Sequence, residues 1–191
     1  MASDYLSHCL SLTTTEDAEL VLMVQRGKRE AFDEIDHRYR SRLCHFLSRH
    51  TRCFHQAEEF AQQTLIRAFE MIDQLRTGEK LAAWLYRIAF CLVIDEVRKN
   101  KRKPTTILEG DLPDSVQDAQ GIAIAAEERT NLWNIAKNIL SNDEFWAIRL
   151  RYIENFNTEE IARIMSRSKV SVRVLLFRAR NRLLPMLTNN K

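Results

Sequence analysis

The sequence predicts an all-α protein in which two small helical domains are joined by a flexible linker. Two observations support this fold class. The 191 residues include only 4 glycines and 3 prolines, and nearly all of these fall between stretches whose apolar residues recur every three or four positions. The same stretches are rich in alanine, leucine, arginine and glutamate, which favour helices. We therefore expect helices to form both domains.

The first domain is predicted to follow a tail of residues 1–15 and to span residues 16–102. Its first helix is expected to begin at a hydroxyl cap within Thr13–Thr15 and to end at Gly27. Each later helix of the domain carries one apolar stripe, as burial against a neighbour requires. The predicted helices run from about 16 to 26, from about 29 onward, from 56 to 75, and from 81 to 100, with a loop at Gly78.

The linker is predicted to cover residues 103–122. Helical periodicity is absent there, and proline and glycine appear among polar residues. The second domain is predicted to span residues 123–191. Its helices are expected over about 125–140, 143–152, 158–165 and 171–187.

Charge is unevenly distributed along the chain, although the formal net charge is only +3. A basic run covers residues 98–103, acids predominate from 109 to 128, and lysines and arginines outnumber acids from 158 to 191. Local basic patches of this kind are what phosphate binding requires. The distribution therefore indicates a nucleic-acid partner more strongly than the net charge does.

Other classes of protein have little support in the sequence. We expect neither a signal peptide nor a membrane span, and hence a cytoplasmic protein with reduced cysteines. The cysteines and histidines between Cys44 and His55 lack the spacing of a zinc site, so no metal is expected. Motifs of nucleotide-binding or hydrolytic enzymes are absent from the sequence, which predicts no cofactor and no enzymatic activity.

A helix-turn-helix is the strongest local signal in the second domain. Asn157 and Glu160 have the spacing of a capping box, and Ser168 can cap the following helix. The turn between the helices has no glycine, so Ser166 or Arg167 must adopt the turn conformation at some cost. The second helix is basic, as a helix that enters the major groove of DNA would be. A helical hairpin with a solvated basic face remains the alternative for this segment.

Three segments resemble the extracytoplasmic-function group of the sigma-70 family. The sequence LRTGEKLAAWLYRIAFCLVIDEVRKNKR (75–102) resembles the family's promoter-melting segment. The sequence EEFAQQTLIRAFEMI (58–72) is similar to the helix that docks on the clamp helices of RNA polymerase. The helix-turn-helix that ends in FRAR (177–180) resembles the domain that recognises the −35 element. The resemblance covers about residues 17–187, with the motifs in the family's order.

The resemblance implies an alternative sigma factor that directs core RNA polymerase to −10 and −35 promoter elements, with melting by the first domain. Its implied partners are core RNA polymerase, through the β′ clamp helices and the β flap, promoter DNA, and an anti-sigma factor. The residues themselves leave two other classes of protein open. One is a two-domain regulator that binds duplex operator DNA as a dimer, and the other is an adaptor that binds only proteins.

The resemblance also implies three sets of site residues. Those for the −10 element, where a flipped base would be captured, are Leu75, Arg76, Gly78, Lys80, Trp84, Tyr86, Arg87, Cys91, Arg98, Lys101 and Arg102. Those for the −35 element are Lys169, Ser171, Arg173, Val174, Phe177 and Arg178. Those for polymerase docking are Glu59, Gln62, Gln63, Ile66 and Glu70.

Some of these positions depart from the family pattern. Cys91 stands where asparagine is usual, which puts the base preference of the pocket in question, and Gln63 stands where an acid is preferred. Val174 and Leu175 stand where polar or basic residues are common. Their apolar side chains could contact thymine methyl groups or a partner protein, and the sequence leaves both open. For Trp84, packing in the core is the competing interpretation.

Overall fold

The structure is a computed structural model that describes residues 13–48, 50–51, 53–76, 78–102, 133, 136 and 138–188, with the backbone alone at 100–102 and 186–188. The described residues form α-helices and one short 3-10 helix and contain no strand. The all-α prediction is therefore confirmed. The chain divides into two compact units, Met1–Pro113 and Asp114–Lys191.

Four helices and the 3-10 helix make up the described part of the first unit. They are α1 (Asp17–Gln25), α2 (Glu30–Ser48), α3 (Phe54–Met71), the 3-10 helix (Ile72–Gln74) and α4 (Leu81–Arg102). The second unit contains α5 (Asn142–Tyr152), α6 (Thr158–Ile164) and α7 (Lys169–Thr188). The predicted linker, most of the predicted tail and most of the helix predicted over 125–140 lie outside the described residues.

The core of the first unit lies where α2 and α4 face each other. Leu43, Phe46 and Leu47 of α2 are fully buried, as are Leu85 and Tyr86 of α4. The rings of Phe46 and Tyr86 pack with their centroids 4.7 Å apart. The apolar stripe predicted for α2 therefore forms the centre of this core.

Helix α1 begins differently from the prediction. Its N-cap residue is Glu16, whose side chain makes no capping hydrogen bond, so the prediction of a threonine cap was wrong. Asp17 in the first turn instead accepts hydrogen bonds from Arg38, at 3.0 Å, and from the hydroxyl of Tyr39. Burial and this contact with Asp17 raise the pKa of Tyr39 well above its usual value. Asp17 thus joins the first turn of α1 to α2.

Gln25 joins the end of α1 to the segment that precedes α4. Its Nε2 donates to the carbonyl oxygen of Ile72 at 2.8 Å and to that of Leu75 at 3.2 Å. The side chain of Leu75 is buried, and so is Leu81 at the start of α4. The loop between them, which contains Gly78 at φ 88°, is therefore fixed at both ends.

Two helices of the second unit begin with capping boxes. Ser141 and Glu144 cap α5, and Asn157 and Glu160 cap α6 as the sequence predicted. Glu144 is only 3% exposed, and it also accepts a hydrogen bond from Arg182 of α7 at 2.7 Å. Because capping and the ion pair act on one buried carboxylate, Glu144 ties the start of α5 to α7.

The turn between α6 and α7 contains a residue in the left-handed conformation. Ser166 has φ 51°, its N–H donates to Arg163 O, and the N–H of Arg167 donates to Ala162 O. This is the Schellman pattern, in which glycine is the usual residue. The predicted capping of α7 is also present, because the N–H of Ser171 donates to Ser168 Oγ at 3.1 Å.

Replacing Ser166 with glycine is expected to stabilise the second unit by roughly 0.5–1 kcal/mol, because glycine adopts a positive φ without a steric penalty. Asn155, at φ 58°, is the matched control. Asparagine tolerates this region well, so Asn155→Gly should change stability little. Hydrogen exchange of the α5–α7 amides measures both changes. Equal effects from the two substitutions would contradict strain at Ser166.

Candidate nucleic-acid interface

Helix α7 has one buried side and one exposed side. Val172, Leu176 and Ala179 are buried against the rest of the unit. The −35 candidates Arg173 and Arg178 are exposed. The second helix of the helix-turn-helix therefore presents arginines away from its own core, as recognition of a groove requires.

Lys169 is exposed and lies next to a carboxylate in the described structure. Its Nζ is 2.9 Å from Glu159 of α6, and Arg163 is 3.1 Å from the same residue. Hydrogen bonds from Lys169 and Arg163 lower the pKa of Glu159. The pair is exposed, so a phosphate can compete for Lys169 at little cost.

Apolar side chains also lie on the exposed side of α7. Val170 is 66% exposed, Val174 40% and Phe177 64%. These residues are spaced by four and three positions and so follow one another along a single face. Sequence reasoning included Val174 and Phe177 among the −35 residues but missed Val170. Ser171 is half-buried beside this face.

Three of the −10 candidates on α4 lie on one face. Trp84 is half-buried, while Arg87 and Cys91 are exposed, and the three are spaced by three and four positions. Further along the helix, Arg98 is exposed and pairs with Asp95 at 3.7 Å. The side chains of Lys101 and Arg102 lie outside the described residues, although their backbone continues α4. In the loop, Arg76, Gly78 and Lys80 are exposed.

Two of the −10 candidates are not at the surface. Leu75 is 6% exposed, and Tyr86 is fully buried against Phe46. Each side chain is held in the core that supports the loop and α4, so neither is presented to a base in this structure, and their place in the −10 set stays a prediction. Trp84, for which core packing was the competing interpretation, keeps part of its surface exposed.

All candidates for polymerase docking are exposed on α3. Ile66 is the apolar centre of the set, at 51% exposed, with Gln62 and Glu70 one turn away on either side. Beside them, a groove of about 670 Å³ runs between α2 and α3, with Asp33 and Arg40 on its α2 wall. An apolar centre with polar walls suits a protein partner.

Phe69 of α3 is partly exposed although its spacing fits the apolar stripe of that helix. It is 38% exposed and lines the groove, with its ring edge-on to Phe32 at 5.0 Å between centroids. Its periodicity matched the buried stripe of α3, and its position at the rim of that stripe explains the difference. The other docking candidates, Glu59 and Gln63, extend the exposed face along the helix.

The described residues include neither a metal-binding cluster nor a membrane-spanning helix. No group of histidine, cysteine, aspartate or glutamate there has the arrangement needed to hold a metal ion. None of the helices described is long and apolar enough to cross a membrane. Cys44 is buried, and burial raises the pKa of its thiol, as expected for a structural cysteine.

Each unit is matched by the model of a known protein family. The family model described as sigma-70 region 2 matches residues 35–103, and the one described as sigma-70, region 4 matches residues 136–183. The first match contains α4 and the docking candidates of α3. The second contains the helix-turn-helix.

Curated relatives span most of the chain. The ECF RNA polymerase sigma factor SigW of Bacillus subtilis is 30% identical over 176 residues, which cover 85% of this chain and 92% of the relative. SigM of the same organism is 33% identical over 153 residues, covering 79% of this chain and 91% of the relative. The ECF RNA polymerase sigma-E factor of Escherichia coli is 27% identical over 174 residues, covering 86% and 90%.

Solved structures share the fold. CnrH, solved in complex with the cytosolic domain of CnrY, has a TM-score of 0.65 at 18% identity, covering 92% of this chain and 99% of that one. The sigma factor RpoE of Bartonella quintana, solved with the anti-sigma factor NepR, has a TM-score of 0.66 at 24% identity, covering 84% and 98%.

Proposed function

The chain belongs to the extracytoplasmic-function group of the sigma-70 family, and from this premise we propose a role for each surface described above. The protein is an alternative sigma factor that acts in transcription initiation with core RNA polymerase and promoter DNA. The observation that carries this conclusion is that region 2 and region 4 both match, in the family's order, along one chain. A dimeric operator-binding regulator is not favoured, because such a protein has no use for region 2.

The first unit, with 16–102 as its proposed extent, binds polymerase and opens the −10 element. Ile66 and the polar residues around it on α3 supply the docking face. The loop of Arg76, Gly78 and Lys80, together with the exposed face of α4, captures a flipped base. Unstacking a base costs a few kcal/mol, which stacking and hydrogen bonds to the freed base edge offset.

The second unit, with 123–191 as its proposed extent, holds the −35 element through α7. Arg173 and Arg178 are exposed and can bind guanine edges or phosphates, because the guanidinium group donates in a fixed fork. The linker, proposed at 103–122, lets the two units match the spacing of the promoter elements.

The partners and location follow from the same role. CnrH was solved with a fragment of CnrY, and the Bartonella sigma factor with an anti-sigma factor. We propose that this chain is likewise held inactive by an anti-sigma factor and works in the cytoplasm. Sigma factors as a family are not enzymes, and we propose no catalytic activity for this chain.

Runoff transcription tests the function directly. Core RNA polymerase is incubated with and without the full chain on a library of promoters, and transcript starts are mapped. The chain is expected to confer start sites that core enzyme alone does not use. A chain that dimerises on operator duplexes and never associates with core enzyme would instead support the regulator.

Replacing Arg173 with alanine is expected to weaken holoenzyme binding to a promoter with the cognate −35 element by about 1–3 kcal/mol and to relax specificity there. Lys169→Ala should instead weaken binding alike on all sequences and reduce the slope of log affinity against log salt by about one, because it removes a phosphate contact.

The matched control for Arg173 is Arg180→Ala. Arg180 lies on the same helix and has the same charge, but its Nε donates to the hydroxyl of Tyr152 at 2.8 Å. Titration of holoenzyme onto promoter DNA at several salt concentrations measures all three variants. If Arg173→Ala and Arg180→Ala have equal effects on every sequence, Arg173 contributes charge rather than base recognition.

A further inference from the structure

We infer that Val174 recognises thymine in the −35 duplex by contact with the C5-methyl group, as the centre of an apolar strip on α7. The strip is defined as Val170, Val174 and Phe177. This inference rests on the proposed function, because it assigns the strip to the same DNA that the arginines of α7 bind. It also decides between the two occupants that the sequence left open at Val174.

The strip lies on the side of α7 that faces away from its own unit. Residues of an α-helix advance by about 100° each, which places Val170 and Val174 roughly opposite the buried Val172 and Ala179. Val170 and Phe177 are 66% and 64% exposed, so the strip is not part of the core. From Val170 to Phe177 the helix rises about 10 Å, or roughly three base-pair steps.

The charges beside the strip identify what covers it. By the same helical geometry, Arg173 lies along one edge of the strip and Arg178 along the other, and both are exposed. The major groove offers the complementary arrangement, with phosphates on both sides and base edges between them. A protein covering the strip would have to provide acids along both edges. Duplex DNA of any sequence provides negative charge along both edges through its phosphates.

The apolar character of the strip identifies what it contacts within the groove. The C5-methyl of thymine is the apolar group that bases present there, and the remaining edges are hydrogen-bond donors and acceptors. Valine has no donor or acceptor with which to satisfy those edges, so it leaves other bases without a partner. Val174, near the N-terminal end of the recognition helix, is where base contacts are made.

Deoxyuridine tests this contact, because it pairs as thymine does but lacks the methyl group. A promoter is first selected by holoenzyme from a library randomised at the −35 element. Each thymine of its −35 element, on either strand, is then replaced singly by deoxyuridine, and holoenzyme binding is titrated. We expect one position at which removal of the methyl weakens binding about fourfold, the effect of burying one methyl-sized group.

Val174→Ser is expected to abolish the difference between thymine and deoxyuridine at that position. The matched control is Leu184→Ser, which removes a 60% exposed apolar residue further along α7 and should retain the difference. Binding of both variants to core polymerase and their circular dichroism spectra confirm that each is folded and forms holoenzyme.

Three results would overturn the inference while the sigma function stands. In the first, the holoenzyme selects a promoter but no −35 thymine is sensitive to loss of its methyl. In the second, the sensitivity is the same in Val174→Ser. In the third, Val174→Ser leaves promoter binding unchanged and weakens only an anti-sigma factor, which assigns the strip to a protein. If the chain gives core enzyme no promoter selection on unmodified DNA, the proposed function fails, and this inference fails with it.

Discussion

After replacement of Tyr86 by alanine, the first unit is expected to lose about 3–5 kcal/mol of its free energy of unfolding. Tyr86 is fully buried, and its ring packs on Phe46 of α2 at 4.7 Å between centroids. Its removal leaves a cavity between α2 and α4 that the surrounding helices fill only in part. Because small domains are stable by roughly 5–15 kcal/mol, such a loss removes a large fraction of the stability of the unit.

Urea unfolding followed by circular dichroism, with hydrogen exchange of the α2 and α4 amides, measures this loss. Tyr86→Phe is the control, because it keeps the ring and should cost no more than about 1.5 kcal/mol. Trp84→Ala is the functional contrast. It removes a half-buried ring two residues away, and it should preserve the fold but reduce promoter opening by about 1–3 kcal/mol if Trp84 stacks on a base.

The opposite pair of results would indicate that Tyr86 contacts DNA. In that case Tyr86→Ala would fold with nearly unchanged stability and fail only in promoter opening. Comparing Tyr86→Ala with Trp84→Ala thus distinguishes a residue that supports the −10 surface from one that contacts a base directly.

Ile66→Asp is expected to weaken binding to core RNA polymerase by about 2–4 kcal/mol, as substitutions at the centre of a protein interface do. Ile66 is 51% exposed at the middle of the proposed docking face, beside the groove between α2 and α3. An aspartate there would be desolvated against an apolar surface without a partner. The free protein should remain folded, because the side chain is already half in water.

Phe54→Asp provides the control for this substitution. Phe54 is the first residue of the same helix, is 48% exposed, and lies away from the groove. Aspartate is also tolerated in the first turn of a helix. Affinity for core polymerase is measured by fluorescence anisotropy of the labelled full chain. Equal losses for Phe54→Asp and Ile66→Asp would show that Ile66 is not the centre of the docking face.

The sequence predicts the helices well because their apolar period and their capping residues are local signals. The capping box of Asn157 and Glu160 was predicted from neighbouring residues alone, as was a strained turn at Ser166 or Arg167, which the structure places at Ser166. The start of α1 was predicted less well, and the contacts of Asp17 with Arg38 and Tyr39 could not be predicted from neighbouring residues because they join two helices.

The site was harder to predict than the fold because family position does not reveal burial. Tyr86 and Leu75 lie in the segment that resembles the promoter-melting region, yet both support that segment from within the core. The exposure of Val170 could not be predicted from the sequence, since an apolar residue at the start of a helix is usually assigned to the core. Its exposure depends on which side of α7 meets α5 and α6, which a single helix does not reveal.

The two hydrogen bonds from Gln25 bear on how proteins of this kind diversify. They hold the backbone at Ile72 and Leu75 through carbonyl oxygens, which every residue type possesses. The exposed side chains of Arg76 and Lys80 can therefore change while this anchoring stays intact, whereas Gly78, at φ 88°, requires glycine. The loop proposed to capture a base can thus vary at these two positions while the helices that hold it stay the same.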